Sequence, residues 1–248
     1  MNRPVALQLY SVRNDAKTDL QKTLARVAEM GYEGVEFAGY YDNEPVQIRK
    51  WLDQYGLKAE GCHIGTDALD PDNLQQTMDA HAALGTNWAI VAWLPEKRRA
   101  TPTDCGETAK WLTELHEKVG KFGIRLGFHA HQADMQPLDG GKSAWYLLAE
   151  STPQTFIMQY DTANGMSGGA DPVQPILDLP NRGASTHLKE WAGGHGAIIG
   201  DGDVPWKRVL EACETVGGTQ WYVVEYEIDT DPNPLDSVQK CLHYLRTL

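Results

Sequence analysis

The sequence predicts a single α/β domain spanning 1–248, a (β/α)8 (TIM) barrel of parallel strands. Three observations lead there. The chain has 248 residues, and one such barrel needs roughly 250. A helix-like run closed by glycine and followed by a short β-rich run recurs at Gly31, Gly56, Gly85, Gly123 and Gly217-Gly218. Eight strand-like segments alternate with eight helix-like ones without a break, which is the signature of repeated βα units.

The elements follow in order. The apolar run at 4–9 is the first strand. The helix at 17–29 carries Leu20, Leu24, Val27 and Ala28 as one stripe, the i, i+4, i+7, i+8 pattern of a buried helical face. Gly31 ends it, since glycine supplies the left-handed residue past a helix. A strand at 33–37, a helix at 44–54 closed by Gly56, and a strand at 58–63 come next. Asp70-Pro71 opens a helix at 71–84, closed by Gly85. The strand at 87–92 precedes a helix at 103–121, opened by Thr101-Pro102, with a capping residue and an early proline. Then come strand 124–130, helix 141–150, strand 155–160 and helix 172–179, the last opened by Asp171-Pro172. Strand 183–188, helix 204–216, strand 220–227 and helix 233–247 complete eight units. Leu235, Val238, Leu242 and Leu245 form the stripe of the final helix. The rival arrangement, an open doubly wound sheet, normally carries a glycine-rich phosphate turn after its first strand. Here that turn reads Gln8-Leu9-Tyr10-Ser11-Val12-Arg13, without glycine.

The composition excludes several function classes. Lys and Arg number 22 against 34 Asp and Glu, a net charge of −12. Nucleic acids and anionic membrane surfaces draw most of their affinity from basic protein surfaces, so neither is expected as a partner. Cys62, Cys105, Cys213 and Cys241 form no CxxC, so no zinc knuckle or redox motif is read, and reduced cysteines are expected. No apolar stretch approaches the ~20 residues of a membrane span, and no secretory leader is recognised. The expectation is a cytoplasmic protein, with homo-oligomerisation left open.

In a barrel of this kind function gathers at the C-terminal ends of the strands. Six of the eight strands end in an ionisable residue: Glu36, His63, the pair His129 and His131, Asp161, His187 followed by Lys189 and Glu190, and Glu225 with Glu227. Glu36 could alternatively be a plain partner for Arg13, and His63 a satisfied core histidine. Glu225 lies inside an apolar run, where an unpaired carboxylate is costly, so it needs a cation. His81, His116 and His243 fall in helices and read as structural. Imidazoles and carboxylates converging on one mouth suit a divalent ion such as Mn²⁺, Co²⁺ or Zn²⁺, with open positions for substrate. His129 and His131 stand two residues apart on one strand end, about 6.6–7 Å by the usual rise. A division of labour is expected, His129 as ligand and His131 as acid/base with an unperturbed pKa near 6.5.

These residues carry a resemblance. Gln8-Leu9-Tyr10-Ser11-Val12-Arg13, Gly31-Tyr32-Glu33-Gly34-Val35-Glu36-Phe37, Phe128-His129-Ala130-His131, Thr186-His187-Leu188-Lys189-Glu190, Gly200-Asp201-Gly202-Asp203-Val204-Pro205-Trp206 and Val224-Glu225 resemble the xylose-isomerase-like superfamily. It includes sugar isomerases and epimerases, inosose dehydratases and nucleases of the endonuclease IV type. The resemblance implies a metal held by residues of strands five to eight, with Asp161, His187 and Glu225 matching the last three positions. The fifth-strand position departs, because His129 stands where the epimerases have glutamate; the inosose dehydratase branch also carries His-x-His there.

The reading is a metal-dependent isomerase or epimerase acting on a sugar or keto-sugar by abstracting the proton α to a carbonyl. His131, Glu225 and Lys189 are the expected catalytic residues, and His129, Asp161, His187 and Glu225 the expected ligands. Glu36, His63, Tyr10, Trp93 and Glu227 are the expected substrate contacts, and the partner is a small carbohydrate. Alternatives are a dehydratase of a keto-sugar or inosose and a non-catalytic sugar-binding barrel. Lys189 and Arg13 are the only cations near the strand ends, so no phosphate cradle is evident.

Overall fold

A computed structural model describes residues 1–248. Eight parallel strands form its centre: β1 Val5–Gln8, β2 Gly34–Phe37, β3 Lys58–Ile64, β4 Trp88–Val91, β5 Arg125–His129, β6 Ile157–Gln159, β7 Ser185–Leu188 and β8 Trp221–Val224. Neighbours run β6-β5-β4-β3-β2-β1-β8-β7. The two ends meet, since the His187 N–H donates to the Tyr160 carbonyl and the Met158 N–H to the Arg182 carbonyl, both at 2.8 Å. Asp161 bridges His187 in parallel across the same seam. Most strand residues are buried on both faces, as strands lying between a filled interior and an outer layer of helices must be.

All eight expected strands form within a few residues of their anticipated bounds. Gly31, at φ 96°, closes helix Leu20–Met30 in the left-handed region, its N–H bonded to the Val27 and Ala28 carbonyls. The helices differ more. The first is broken into Arg13–Thr18 and Leu20–Met30, because Asp19 is extended and accepts from the Lys22 N–H as a cap. The helix expected from residue 71 begins at Leu74; the Asp70 carbonyl, ahead of Pro71, accepts from Asn73 and Leu74 instead. The seventh helix is a π-turn at its end, Trp206–Ala212 continuing into Cys213–Gly217. Two short helices, Gln132–Met135 and Thr162–Ser167, follow β5 and β6. A hairpin, Glu190–Ala192 with His195–Ala197, follows β7. Helix Thr162–Ser167 is capped by Asp161; the other two lie in loops with no apolar periodicity and carry no signal in the sequence. The four cysteines are buried and unpaired. No helix is long and apolar enough to cross a membrane.

The barrel interior has two levels. Trp88, Ile90, Ile157 and Ala184, with Trp221 packed against them, fill the lower half with apolar side chains. The upper half is polar and is the site described below. Over its edge runs the loop after β7, held by one carboxylate. Glu190 is buried, and Oε1 accepts from the Trp191 N–H at 3.0 Å and the Val204 N–H at 3.1 Å. Its Oε2 accepts from the Gly200 N–H at 2.8 Å and the Trp206 indole at 2.6 Å. This explains the Gly-x-Gly pattern of 200–202. A Cβ on Gly200 would meet the Tyr244 ring at 2.5 Å, and one on Gly202 would meet Glu190 Oε1 at 2.5 Å.

Bonds to a charged acceptor contribute more than neutral ones, and orphaned buried donors are penalised. Glu190→Ala is therefore expected to destabilise the fold by about 3 kcal/mol, read from urea unfolding. Glu190→Gln should cost less, since one amide oxygen still accepts.

Candidate functional site

Parallel strands place side chains of the same phase at one height, so the inward residues at the strand ends meet. Gln8 pairs in register with Glu36, and His129 with Gln159. Glu36 is fully buried beneath the mouth. Its Oε2 accepts from Gln8 Nε2 at 2.6 Å and His187 Nε2 at 2.7 Å, with His63 Nε2 at 3.2 Å. Its Oε1 accepts from Gln159 Nε2 at 2.7 Å. Burial pushes the Glu36 carboxyl up, but His63, His187 and the Gln159 amide outweigh it and leave it below the ordinary range. Glu36 is thus not on the cavity wall, where it was expected as a substrate contact; its oxygens are used by protein donors. Nor does it pair with Arg13, which salt-bridges Asp229 and lies over the Tyr10 ring.

Above this floor four side chains converge. His129, Asp161, His187 and Glu225 each offer one ligand atom, all within 4.8 Å of one another. His187 Nδ1 is 2.9 Å from Glu225 Oε2 and 3.9 Å from Asp161 Oδ2, and His129 Nε2 is 3.9 Å from Glu225 Oε2. The opposite nitrogens are held from behind. His129 Nδ1 lies 3.0 Å from Gln159 Oε1, and His187 Nε2 faces Glu36. The Gln159 amide also donates to Ser185, which orients its oxygen toward the ring. A ring whose rear nitrogen is tied to an acceptor presents the other as a fixed donor atom, the usual arrangement behind a metal-binding imidazole.

Asp161 is divided in the same way. Oδ1 caps helix Thr162–Ser167, accepting from the Asn164 N–H at 2.7 Å. Oδ2 is buried with no hydrogen-bond partner. An orphaned carboxylate oxygen is costly, and a cation among these four donors would satisfy it. The donor set, two imidazoles and two carboxylates, fits a divalent ion.

Burial pushes Asp161 up to about 7, with the Glu225 carboxylate adding to the effect and Lys189 opposing it. Burial alone would drive the proton off His187, but the carboxylates on its two nitrogens hold it well above its ordinary value. Glu225 is held well below the carboxylate range despite burial, by Lys189 and His187. His129 is pushed well below its ordinary value by burial and by the neighbouring His187 and His63.

Over the cluster opens a cavity of about 560 Å³, walled by Tyr10, His63, Trp93, His129, His131, Glu225 and Glu227 among others. Trp93 is 57% and Tyr10 43% exposed. The His63 ring stacks on His187, centroids 5.3 Å apart at 3°. The His131 ring stands edge-on to His129, centroids 4.9 Å apart. That is closer than the strand spacing implied, because β5 ends at His129 and the chain turns into helix Gln132–Met135 at His131. Desolvation in the crowded mouth, with Lys189, His63 and His187 nearby, pushes His131 down to about 4 against the pull of Glu225. The expectation of an unperturbed His131 near 6.5 is therefore corrected, and the imidazole is neutral across the neutral range. Lys189 is bonded to Glu227, lies 3.8 Å from Glu225, and is held above its ordinary value by these carboxylates and Asp161 despite burial.

The sequence reading missed Gln8, Gln159 and Glu60. The first two were legible in principle. Gln159 is two residues before Asp161 and Gln8 ends a strand, so both have an inward phase. Glu60 was not. A register shift pairs Val35 with Ala59 and Glu36 with Gly61, leaving Glu60 as the extra residue of a bulge. It is buried with both oxygens unpartnered, and burial, with the Glu36 charge, keeps its carboxyl protonated far above the ordinary range.

Residues 24–248 match the family described as xylose isomerase-like TIM barrel. The chain belongs to that family. Rhizopine catabolism protein MocC of Rhizobium meliloti is 24% identical over 253 residues, covering 87% of this chain and 76% of that protein. An inosose dehydratase of Geobacillus thermodenitrificans is 24% identical over 266 residues, covering 91% and 88%. Among solved structures, a sugar phosphate isomerase/epimerase from Parabacteroides distasonis superposes with a TM-score of 0.86 at 23% identity, covering 99% of this chain and 94% of that one. At that identity the likeness is one of fold. Within this xylose isomerase-like barrel, the four-donor cluster and its cavity lie at the end where such barrels keep their chemistry.

A carboxyl or imidazole must lose its proton to ligate. Asp161 at about 7 and the raised His187 both hold protons below neutrality when no ion is bound. Binding of Zn²⁺ or Mn²⁺ should therefore release protons and tighten as pH rises from about 6 to 8, by up to tenfold per pH unit for each proton displaced. Calorimetry in buffers of different ionisation enthalpy measures both; a pH-independent affinity would contradict the assignment.

Proposed function

We propose that this protein is a divalent-metal-dependent enzyme that enolises a keto-sugar by removing the proton α to its carbonyl, acting as an isomerase or epimerase. The observation that carries the reading is the buried set His129, Asp161, His187 and Glu225, with Asp161 Oδ2 unpartnered, beneath a cavity open to a small polyhydroxylated molecule. These four residues would hold the ion, whose contribution is to polarise the substrate carbonyl as a Lewis acid.

The remaining work falls to the chain. His131, neutral and lining the cavity, is assigned to take the α-proton. A neutral imidazole accepts a proton without first losing one, so it serves as the base. Lys189 keeps its proton because Glu225 and Glu227 surround it, and the ammonium stabilises the negative charge growing on the enediolate oxygen. His63 and Glu227 offer hydrogen-bond partners to substrate hydroxyls. Tyr10 and Trp93 give flat apolar faces on which a sugar ring packs.

Once the enediolate forms, the fate of the proton selects the product. Its return to the opposite face epimerises, its delivery to the neighbouring carbon isomerises, and loss of a β-hydroxyl dehydrates. Dehydration is the second reading. It is favoured by the imidazole at the fifth-strand position and by the likeness to an inosose dehydratase.

His129→Ala and Asp161→Ala are expected to lose bound metal. His131→Ala should keep the metal and lose at least about a hundredfold in α-proton exchange, the usual scale of a general base. Metal analysis of the purified variants and deuterium incorporation from D₂O into a panel of keto-sugars measure the two effects separately. Full exchange in His131→Ala would remove His131 from the chemistry, and stoichiometric metal in Asp161→Ala would remove Asp161 from the ligand set.

A further inference from the structure

We propose that the substrate is an unphosphorylated keto-sugar bearing a second, uncharged ring, the ring lying in an outer lobe of the site. The inference rests on the keto-sugar reading above and narrows its substrate class. The cavity over the cluster is not alone. At His63, Ile64 and Gly39 it adjoins a second cavity of equal size, about 560 Å³, between the loop after β2 and helix Leu74–Leu84. Pockets of roughly 300–1,000 Å³ enclose a whole small ligand, so the inner cavity by itself accommodates a monosaccharide and the outer one is surplus to it.

The walls of these two lobes disfavour a phosphate. Neither cavity is lined by any Lys or Arg, while the inner one has Glu225 and Glu227 and the outer one Glu44, Asp67 and Asp79. The cations nearest the mouth are held by carboxylates, Lys189 by Glu227 and Glu225 at the inner site, where it serves the reacting oxygen, and Arg13 by Asp229, so neither is left for a phosphate. A dication on the four-donor set would be balanced by the carboxylates of Asp161 and Glu225, leaving little net attraction for phosphate. The outer lobe suits a sugar ring. Tyr40 and Val46 offer apolar surface, while Asn43 and the three carboxylates accept hydrogen bonds from hydroxyls.

Three ligands that differ only at one oxygen test this: fructose, fructose 6-phosphate and isomaltulose, which carries glucose on the same oxygen. Calorimetry with the metal-loaded protein should find isomaltulose about tenfold tighter than fructose, the value of one or two added hydrogen bonds. Fructose 6-phosphate should bind about tenfold more weakly than fructose, and the gap should narrow with salt as the Debye length shrinks below about 10 Å. Ala80→Tyr or Gln76→Trp, both filling the outer lobe, should erase the advantage of isomaltulose over fructose. Preference for the phosphate ester, equal affinity for fructose and isomaltulose, or no binding of any of the three overturns the proposal. Deuterium exchange on the same ligands separates the two readings. The expected binding order without exchange would sink enolisation and leave the substrate class standing, whereas exchange with the reverse order would do the opposite.

Discussion

The upper half of this barrel is organised around the buried charge of Glu36. A carboxylate sealed from water is tolerated only when its oxygens are bonded and an opposite charge is near. Glu36 meets both conditions by drawing Gln8, Gln159 and His187 onto its two oxygens, with His63 close by. Each of those partners then has one direction fixed. His187 turns its other nitrogen to Glu225 and Asp161, and Gln159 turns its oxygen to His129 and His63. The geometry of the four-donor cluster follows from the demand of one carboxylate beneath it.

The cost of this arrangement is confined by the architecture. Below the polar level the interior is Trp88, Ile90 and Ile157, and outside it the helices pack on apolar strand faces. Unpartnered buried groups occur inside the barrel, at Asp161 Oδ2 and both oxygens of Glu60, and also among the helices, at His81 Nε2 and Trp145 Nε1. A rigid, well-packed frame can hold such groups in an unfavourable environment. Glu190 applies the same device to the loop after β7, where one buried carboxylate gathers four N–H donors and keeps the edge of the mouth in place. Two buried carboxylates thus do different work, one ordering side chains and the other ordering mostly backbone.

Much of the site was legible because a barrel turns sequence position into height. His129, Asp161, His187 and Glu225 each sit at the end of a β-rich run, and parallel strands of similar length bring such ends together. Gln159 and Gln8 carry no charge, so nothing but their inward phase distinguishes them among the strand ends. Glu36 was placed on the cavity wall because its strand end is level with the others. The depth of a side chain depends on what reaches it from across the barrel, and Gln159 lies 123 positions away in the chain.

The alternation of strands and helices, the closure signals such as Gly31, and the ionisable residues at the strand ends are all written in the order of residues along the chain. These are local properties, set by periodicity, capping and backbone freedom over a few residues. Which carboxylate binds protein and which faces the cavity, the entry of Glu60 into the barrel through a bulge, and the pairing of Lys189 and Arg13 follow from the folded packing. It also decided that His131 leaves the strand line and sits in a crowded mouth that holds it neutral. Those outcomes depend on burial and on charges contributed by distant strands, and neither can be read from neighbours along the chain.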